Sequence, residues 1–382
     1  MKRMKLMTLA AGFLLLAQAA QADWQPVKRL TWTSGDSYLP RVAVDSSGNL
    51  HLVWYDLTGG TYDVYYKKSM DGGATWSTSK RLNWPTGKSV DPDISVGSSN
   101  KLHVVWVDYT TGNTEIYYKK STDGGATWST GKRLTSTADP TQHPAVAVDS
   151  SDNVHVVWSD ETPGNYELYY KKSTDGGATW STSKRLTWTS GDSHSPALAV
   201  DSSGDLHVAW YDDTPGNTEI YYKKSTDSGV TWSANKRLSS TANNSDFPDI
   251  VADTSGNLYV VWDDKTPGNF EIYFRTSPDA GATWSASKRI TWTSGPSWSP
   301  TISVDPYGNL HLAWYDYTPG NSEIYYRKSN DRGTNWTPAE RLTLTSSETW
   351  SPAICIDSSG NIYLVWNDNT PGNFEIYYRK GK

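Results

Sequence analysis

The stretch KRLTSTADPTQHPAVAVDSSDNVHVVWSDETPGNYELYYKKSTDGGATWSTS, residues 132–183, is one unit of an internal repeat that fills most of the sequence. Its opening tripeptide, Lys-Arg-Leu or Lys-Arg-Ile, recurs at a constant step of 52 residues, and Glu340-Arg341-Leu342 continues the series. The tripeptide begins at Lys28, Lys80, Lys132, Lys184, Lys236 and Lys288. A fixed period of this length is typical of proteins built by stacking one supersecondary unit.

Each unit predicts four short β-strands. In the first unit these are residues 41–45, 50–56, 63–69 and 75–83, which are rich in β-branched and aromatic residues and are separated by Gly, Asn, Asp and Ser. The first strand carries small side chains on one face and branched ones on the other, so both faces are apolar. Sheets stacked face to face around an axis need that fit. We therefore predict an all-β fold, a seven-bladed β-propeller with four antiparallel strands per blade.

The two ends of the chain predict how the ring closes. The seventh unit stops at Lys382 after three strands, and residues 23–31 match the missing fourth strand, with Trp24 at the position of Trp76. The N-terminal strand should therefore complete the seventh blade, so that residues 23–382 form a single propeller domain and no blade is left with an open edge.

Residues 1–22 have the composition of a secretory signal peptide, with a basic start, an apolar run and Ala20-Gln21-Ala22 as a small-x-small end. We expect cleavage after Ala22 and a secreted or periplasmic protein. The apolar run is too short for a membrane span. The formal charge of −6 becomes −9 without the three basic residues of the leader, which argues against a nucleic-acid partner. Cys355 stands alone in an apolar run and is predicted to be a small buried side chain.

The turn before the fourth strand repeats the pattern Ser-x-Asp-x-Gly-x-Thr-Trp, as in residues 69–76, and five later units carry it in register, the last with Asn335 for Thr. This pattern resembles the Asp-box, or BNR repeat, of the sialidase-like propeller superfamily. The Asp should accept backbone N–H groups, the Gly should take a positive φ, and the Trp should pack under the hairpin. The resemblance implies that these boxes are structural and lie away from the active-site face.

The resemblance also implies a test for sialidase activity. Sialidases hold the substrate carboxylate with three converging arginines, and use a Tyr nucleophile with a Glu and an Asp. Of the 12 arginines in residues 23–382, seven belong to the Lys-Arg-Leu series, three share a third-strand position, and Arg332 lies in an Asp-box. Only Arg41 is left for the central mouth. The family's Arg-Ile-Pro motif is also absent, because Arg289-Ile290 is followed by Thr291. A conventional sialidase is therefore not predicted.

Three other recurring series are predicted to be structural. The histidines at the position of His51 are distributed one per blade and cannot converge, so no metal site is expected. The tryptophans at the position of Trp54 should form the core between blades. The acidic residue at the start of each third strand, such as Glu115, should face Arg133 across two strands as an ion pair.

Candidate functional residues are those that break the repeat. They cluster between the fourth strand of one unit and the first strand of the next, around a recurring proline, where a propeller has the mouth of its channel. The candidate ligand-binding residues are Tyr38, Arg41, Asp91, Asp93, His143, His194, Asp246, Phe247, Asp249, Trp298 and Trp350. Aromatic faces suit the C–H faces of sugars, whereas Asp and Arg bind hydroxyls. A peptide ligand and a solvated rim without a ligand are the alternatives. Blades two and five lie nearly opposite, which disfavours a Ca²⁺ site built from Asp91, Asp93, Asp246 and Asp249.

Three functions remain open. The first is a secreted, lectin-like propeller that binds a glycan or cell-surface polysaccharide, at the mouth or multivalently at the Thr-Pro-Gly-Asn turns. The second is a glycoside hydrolase of the sialidase-like group with Asp93 and Asp249 as a non-standard carboxylate pair. The third is a scaffold for envelope proteins. Near-identical units suit multivalent display, whereas catalysis needs asymmetry, so glycan binding without a cofactor is favoured.

Overall fold

The computed structural model describes residues 22–83 and 87–382. These residues form seven four-stranded antiparallel sheets, numbered here as blades 1 to 7 in the order of their first strands. The seventh blade joins the last three strands of the chain to the strand Lys28–Arg29. The predicted seven-bladed propeller, closed by its N-terminal strand, is therefore confirmed. The predicted signal peptide lies, apart from Ala22, outside the described residues.

Each blade runs from an inner strand at the channel to an outer fourth strand. The inner strands are Ser37–Val44, Ser89–Val96, Thr141–Val148, Ser193–Val200, Ser245–Ala252, Ser297–Val304 and Thr349–Ile356. The second strands are Leu50–Asp56, Leu102–Asp108, Val154–Asp160, Leu206–Asp212, Leu258–Asp264, Leu310–Asp316 and Ile362–Asp368. The third strands are Asp63–Ser69, Glu115–Ser121, Glu167–Ser173, Glu219–Ser225, Glu271–Ser277, Glu323–Ser329 and Glu375–Gly381. The fourth strands of blades 1 to 7 are Lys80–Arg81, Lys132–Arg133, Lys184–Arg185, Lys236–Arg237, Lys288–Arg289, Glu340–Arg341 and Lys28–Arg29. A 3₁₀ turn occupies Ser98–Asn100.

The fourth strands are shorter than the sequence predicts. In blade 1 the ladder is reduced to Lys80–Arg81, whereas residues 75–83 were expected to be a strand. The reason is that the Asp-box takes up the first part of this segment and that the N–H of Lys68 donates to the hydroxyl of Ser77 at 3.1 Å. A side chain thus replaces one rung of the ladder. The inner strand is longer than predicted and begins at Ser37 rather than at residue 41.

The closure of the ring depends on both main-chain and side-chain contacts. The N–H of Leu30 donates to the carbonyl of Ile376 at 2.7 Å, and Leu30 is buried. Trp24 lies edge-on to Tyr326 at 5.0 Å between ring centres, and its indole N–H donates to Glu340 at 3.2 Å. The N-terminal segment therefore joins blade 7 and also contacts blade 6.

The hydrophobic core consists of clusters that each span two neighbouring blades. The tryptophan of every second strand is at most 1% exposed, which confirms its predicted place in the core. This series is Trp54, Trp106, Trp158, Trp210, Trp262, Trp314 and Trp366. Because each blade shares its core with both neighbours, the ring is stabilised as one unit.

The Asp-box has the structural role that the resemblance implies. In the first box, Asp71 accepts hydrogen bonds from the N–H of Thr75 and the hydroxyl of Ser69, both at 2.8 Å. Gly73 has φ +88°, and a Cβ there would lie 2.0 Å from the hydroxyl of Tyr378. The box therefore fixes the turn and receives a side chain from the neighbouring blade.

The histidine and acidic series also have structural contacts. The Nδ1 atom of His51 lies 2.9 Å from the hydroxyl of Tyr66, and its Nε2 atom lies 3.3 Å from Asp45. The predicted ion pairs are confirmed in every blade, for example between Arg29 and Glu375 at 2.7 Å. Cys355 is half-buried rather than fully buried, and burial raises the pKa of its thiol. Within residues 22–83 and 87–382, no helix is long and apolar enough to cross a bilayer.

Candidate ligand-binding cavity at the channel mouth

A cavity of about 900 Å³ opens at one end of the central channel and is lined by the inner strands of all seven blades. In blade 1, Ser37 pairs with Asp56 and Asp56 with Asp63 at this end, whereas Val44 and Ser69 lie at the other end. The Asp-box follows Ser69, so the boxes lie on the face opposite the cavity. The cavity has the size of a small-ligand site.

A β-bulge interrupts each inner strand just inside the mouth. In blade 1 it lies between Tyr38 and Arg41, and the first bulged residue, Leu39, has φ +46°. The equivalent residues, called here the mouth ring, all line the cavity with φ between +46° and +54°, and each precedes a proline. The mouth ring is Leu39, Asp91, His143, Ser195, Phe247, Ser299 and Ser351. A left-handed conformation at non-glycine residues costs on the order of 1–3 kcal/mol each and re-aims the side chains that follow.

Two residues further along each inner strand lies a second ring of cavity-lining side chains, called here the channel ring. Its members are Arg41, Asp93, Ala145, Ala197, Asp249, Thr301 and Ala353. At this one position of the repeat, four blades therefore carry a polar side chain (one cation, two carboxyl groups and one hydroxyl), whereas the other three blades have alanine. This asymmetry distinguishes the channel ring from the regular body of the propeller.

Both carboxyl groups of the channel ring connect neighbouring blades. Asp93 accepts the N–H of Val146 at 2.8 Å, and Asp249 accepts the N–H of Ile302 at 2.8 Å. Burial raises the pKa of Asp93 to about 6, although the Arg41 guanidinium and the backbone donors oppose the shift. Burial also raises the pKa of Asp249. Asp93 therefore exchanges its proton close to neutral pH.

Arg41 is the arginine of the cavity wall. Its Nη1 atom donates to the carbonyl of Pro40 at 3.3 Å. In the described part of the chain, no carboxylate oxygen lies within the 4.0 Å of an ion pair with it. Lys88 also lines the cavity and lies 4.6 Å from the ring centre of Tyr109. The Arg41 guanidinium therefore has N–H groups available to a ligand. These donors suit hydroxyl or carboxylate oxygens.

Six of the eleven residues predicted from the sequence line the cavity: Arg41, Asp91, Asp93, His143, Phe247 and Asp249. The other five, Tyr38, His194, Asp246, Trp298 and Trp350, stand one residue before the bulge and do not belong to the described cavity wall.

The aromatic members of this second group pack against the turns between second and third strands. The ring centre of Trp298 lies 3.8 Å from that of Phe270, and that of Trp350 lies 4.5 Å from Phe374. Tyr38 lies 5.0 Å from the same Phe374. The expected stacking platforms are therefore partly covered by other rings.

The two polar members of the group, His194 and Asp246, have different neighbours. His194 lies 4.4 Å from the ring centre of Tyr166, and burial, followed by the nearby His143, lowers its pKa. Asp246 pairs in register with Asp263 on the second strand.

Sequence reasoning missed several cavity residues, including Tyr55, Lys88 and Thr301. It also missed Asp263, which is fully buried, accepts the N–H of the mouth-ring residue Ser299 at 3.1 Å, and has a second oxygen without a partner among the described residues. Burial raises the pKa of Asp263 well above the ordinary carboxyl value. The sequence does carry a signal for Asp263, because it breaks the repeat on the second strand, where the equivalent residue of blade 1 is Tyr55.

A seven-bladed ring with Asp-box turns on one face and a ligand-sized cavity on the other is a sialidase-like β-propeller. The chain belongs to the BNR repeat-like domain family, whose profile matches residues 189–380, half of the chain.

Comparisons with individual proteins agree with this class. A "Sialidase" of Bacteroides fragilis is 24% identical over 282 residues, 62% of this chain and 50% of the relative. The chain therefore spans about half the length of the curated relative it matches. The NanB sialidase of Streptococcus pneumoniae has a TM-score of 0.53 at 16% identity, with 92% of this chain and 70% of that chain covered. An α-L-arabinofuranosidase of Fusarium graminearum has a TM-score of 0.57 at 16% identity, with 78% and 93% covered. The two structural likenesses show the fold alone.

Proposed function

We propose that this propeller binds a glycan in the cavity at the channel mouth. The observation that carries the proposal is the channel ring, where Arg41, Asp93, Asp249 and Thr301 break an otherwise small and apolar circle. Arg and Asp side chains bind sugar hydroxyls in complementary ways, since one donates and the other accepts. Aromatic residues of the same wall, Tyr55 among them, supply apolar surface.

The comparisons support a carbohydrate ligand, because the proteins to which the chain is similar are named as sialidases and as an arabinofuranosidase. The cavity wall holds one arginine among the described residues, rather than the three that bind a sialic acid carboxylate. We therefore favour a glycan whose binding does not require three arginines around a carboxylate, bound in a lectin-like manner.

The test is binding to a glycan array by the wild type and by Arg41→Met. We expect signals for a limited group of glycans with the wild type and a loss of at least about tenfold with Arg41→Met, because a charge-assisted hydrogen bond is lost. Arg332→Met is the matched control, since Arg332 is exposed in an Asp-box turn on the opposite face. Equal binding by wild type and Arg41→Met would contradict the proposal.

A second candidate function is glycoside hydrolysis, and the carboxyl groups of the channel ring favour it. A general acid works best when its pKa lies near the working pH, and that of Asp93 is about 6. The test is reporter release from a panel of fluorogenic glycosides. If this function applies, Asp93→Asn and Asp249→Asn should abolish turnover while glycan binding persists. Array binding without turnover of any glycoside would instead leave binding alone as the function.

The composition of residues 1–22 supports action outside the cytoplasm, in the periplasm or after secretion. A scaffold for envelope proteins is the remaining alternative. Capture of one envelope protein by the wild type, with an empty glycan array, would favour it.

A further inference from the structure

Three tryptophans stand on the outer flank of the propeller, each three residues after the last residue of a fourth strand: Trp32 on blade 7, Trp188 on blade 3 and Trp292 on blade 5. Their side chains are 70%, 68% and 65% exposed. Tryptophan is otherwise a residue that folding mostly covers. At the same register position the other described blades have Ser136, Ser240 and Leu344, and Trp84 lies outside the described residues.

Each of these indoles lies over a guanidinium that is fixed from below. The Cζ atoms of Arg29, Arg185 and Arg289 lie 5.7, 5.6 and 5.6 Å from the ring centres of their tryptophans. Each arginine donates to a buried glutamate at 2.7 or 2.8 Å and to a main-chain carbonyl at 2.7 Å. The fixed cation therefore orients the ring through a cation–π contact.

The exposure of the arginines shows that the ring covers them. Their side chains are 25%, 26% and 26% exposed below a tryptophan. Where the register position holds Ser136, Ser240 or Leu344, the equivalent arginines are 33%, 34% and 31% exposed. Each indole therefore lies towards an arginine of the protein, while the tryptophan as a whole stays largely exposed.

At two of the sites a lysine of the next blade lies under the same ring. The Nζ atom of Lys67 lies 5.9 Å from the ring centre of Trp32, and that of Lys223 lies 6.0 Å from Trp188. These lysines donate to main-chain carbonyls of the preceding blade and are only 8% and 5% exposed. The cations below the ring are therefore hydrogen-bonded within the protein.

We propose that these three oriented rings are peripheral binding sites for a neutral polysaccharide. An indole face matches the apolar C–H face of a pyranose ring. The arginine is already paired with glutamate, and the lysine is covered, so the site offers little attraction to an acidic ligand. A single ring is too small for a protein interface, which buries about 1,200–2,000 Å². Three sites on one rigid ring bind a repeating polymer with avidity. The inference extends the proposed glycan binding to a second class of site and does not depend on the cavity.

The test is affinity electrophoresis in native gels that contain dextran, mannan, arabinan or xyloglucan. We expect at least one of these neutral polymers to retard the wild type. The test uses a triple variant that combines Trp32→Ala, Trp188→Ala and Trp292→Ala, with and without Trp84→Ala. Its apparent affinity should be about tenfold weaker or more, because avidity is lost. Leu344→Ala is the matched control, since Leu344 is an exposed apolar residue at the same register position, and it should have no effect.

A gain of binding provides the complementary measurement. Arg133 and Arg237 are held below Ser136 and Ser240 as their counterparts are held below tryptophan. Ser136→Trp and Ser240→Trp together should therefore add sites and increase the retardation.

Three results would overturn the inference: no retardation of the wild type by any of the four polymers, equal retardation of the triple variant, or an equal loss with Leu344→Ala. Arg41→Met separates the two proposals. If Arg41→Met loses retardation while the triple variant keeps it, the cavity binds the polymer and the flank sites do not exist. If light scattering shows a wild-type dimer that the triple variant loses, the rings serve self-association instead.

Discussion

Replacing Asp93 by asparagine is expected to stabilise the folded protein at pH 8 and to leave its stability nearly unchanged at pH 4. Burial raises the pKa of this carboxyl group to about 6 from an ordinary value of 3.8. The folded state therefore holds the proton more tightly than the unfolded state does. Between these two values the free energy of unfolding falls as the pH rises, and above about pH 7 the whole penalty of the charged form is present.

The magnitude follows from the size of the shift. About two pKa units correspond to about 3 kcal/mol. Asp93 is half-buried and reaches the open cavity, and asparagine accepts the N–H of Val146 less strongly than a carboxylate does. Both effects reduce the gain, so we expect Asp93→Asn to raise the free energy of unfolding at pH 8 by about 1–2 kcal/mol.

The assay is urea denaturation followed by tryptophan fluorescence at pH 4, 6 and 8. Asp305→Asn is the control of opposite sign. Burial alone would raise the pKa of Asp305, but hydrogen bonds from His311 and Asn309 lower it to about 2. Its carboxylate therefore contributes stability that is present above about pH 4 and is lost as the pH falls towards 2, so Asp305→Asn should cost about 2 kcal/mol at pH 8. An Asp93→Asn protein that is less stable at pH 8, or whose difference is the same at all three pH values, would refute the reasoning.

Two further predictions concern the ring itself, and urea denaturation checks both. Leu30→Ala should lower the free energy of unfolding by about 2–4 kcal/mol, because this buried side chain of the N-terminal strand belongs to the core between blades 7 and 1. Gly73→Ala should cost more than Gly60→Ala, which should cost about 1 kcal/mol. Both glycines have a positive φ, but only at Gly73 would a Cβ meet the hydroxyl of Tyr378, whereas nothing lies within 4 Å at Gly60. Equal losses of stability for the two substitutions would show that the backbone conformation of the turn, and not the contact between blades, determines the cost.

The fold could be predicted from the sequence because its determinants are local and repeated. The constant step of 52 residues predicts the number of blades. The alignment of Trp24 with Trp76 predicts that the N-terminal strand closes the ring. The ion pair of Glu115 with Arg133 could be predicted from strand pairing alone. None of these inferences requires the position of a side chain in three dimensions.

The candidate site could be predicted only in part, because the bulge in the inner strand changes which side chains reach the channel. Tyr38 and Trp350 are predicted at the mouth because they break the repeat beside the recurring proline, yet both precede the bulge and pack against Phe374. A proline within a strand is typical of a bulge, so Pro40 and its equivalents mark the bulge in the sequence itself.

Tryptophan shows a second limit of sequence reasoning. Trp54 and Trp32 belong to the same residue type in the same repeat, but one is 1% exposed and the other 70%. The difference depends on which residues lie beneath each ring. Trp54 lies between two sheets, whereas Trp32 lies over an arginine at the outer edge of a sheet.

The two carboxyl groups of the channel ring connect stability with function. Asp93 and Asp249 each accept an N–H of the following blade, so they hold neighbouring inner strands together while both residues line the cavity. A charged group in such a place lowers stability at neutral pH, as the raised pKa of Asp93 shows. Alanine at the equivalent position of three blades demonstrates that the strand geometry does not need a carboxyl group there. The retention of two acids at a cost in stability is therefore an argument that the cavity uses them to bind or to react.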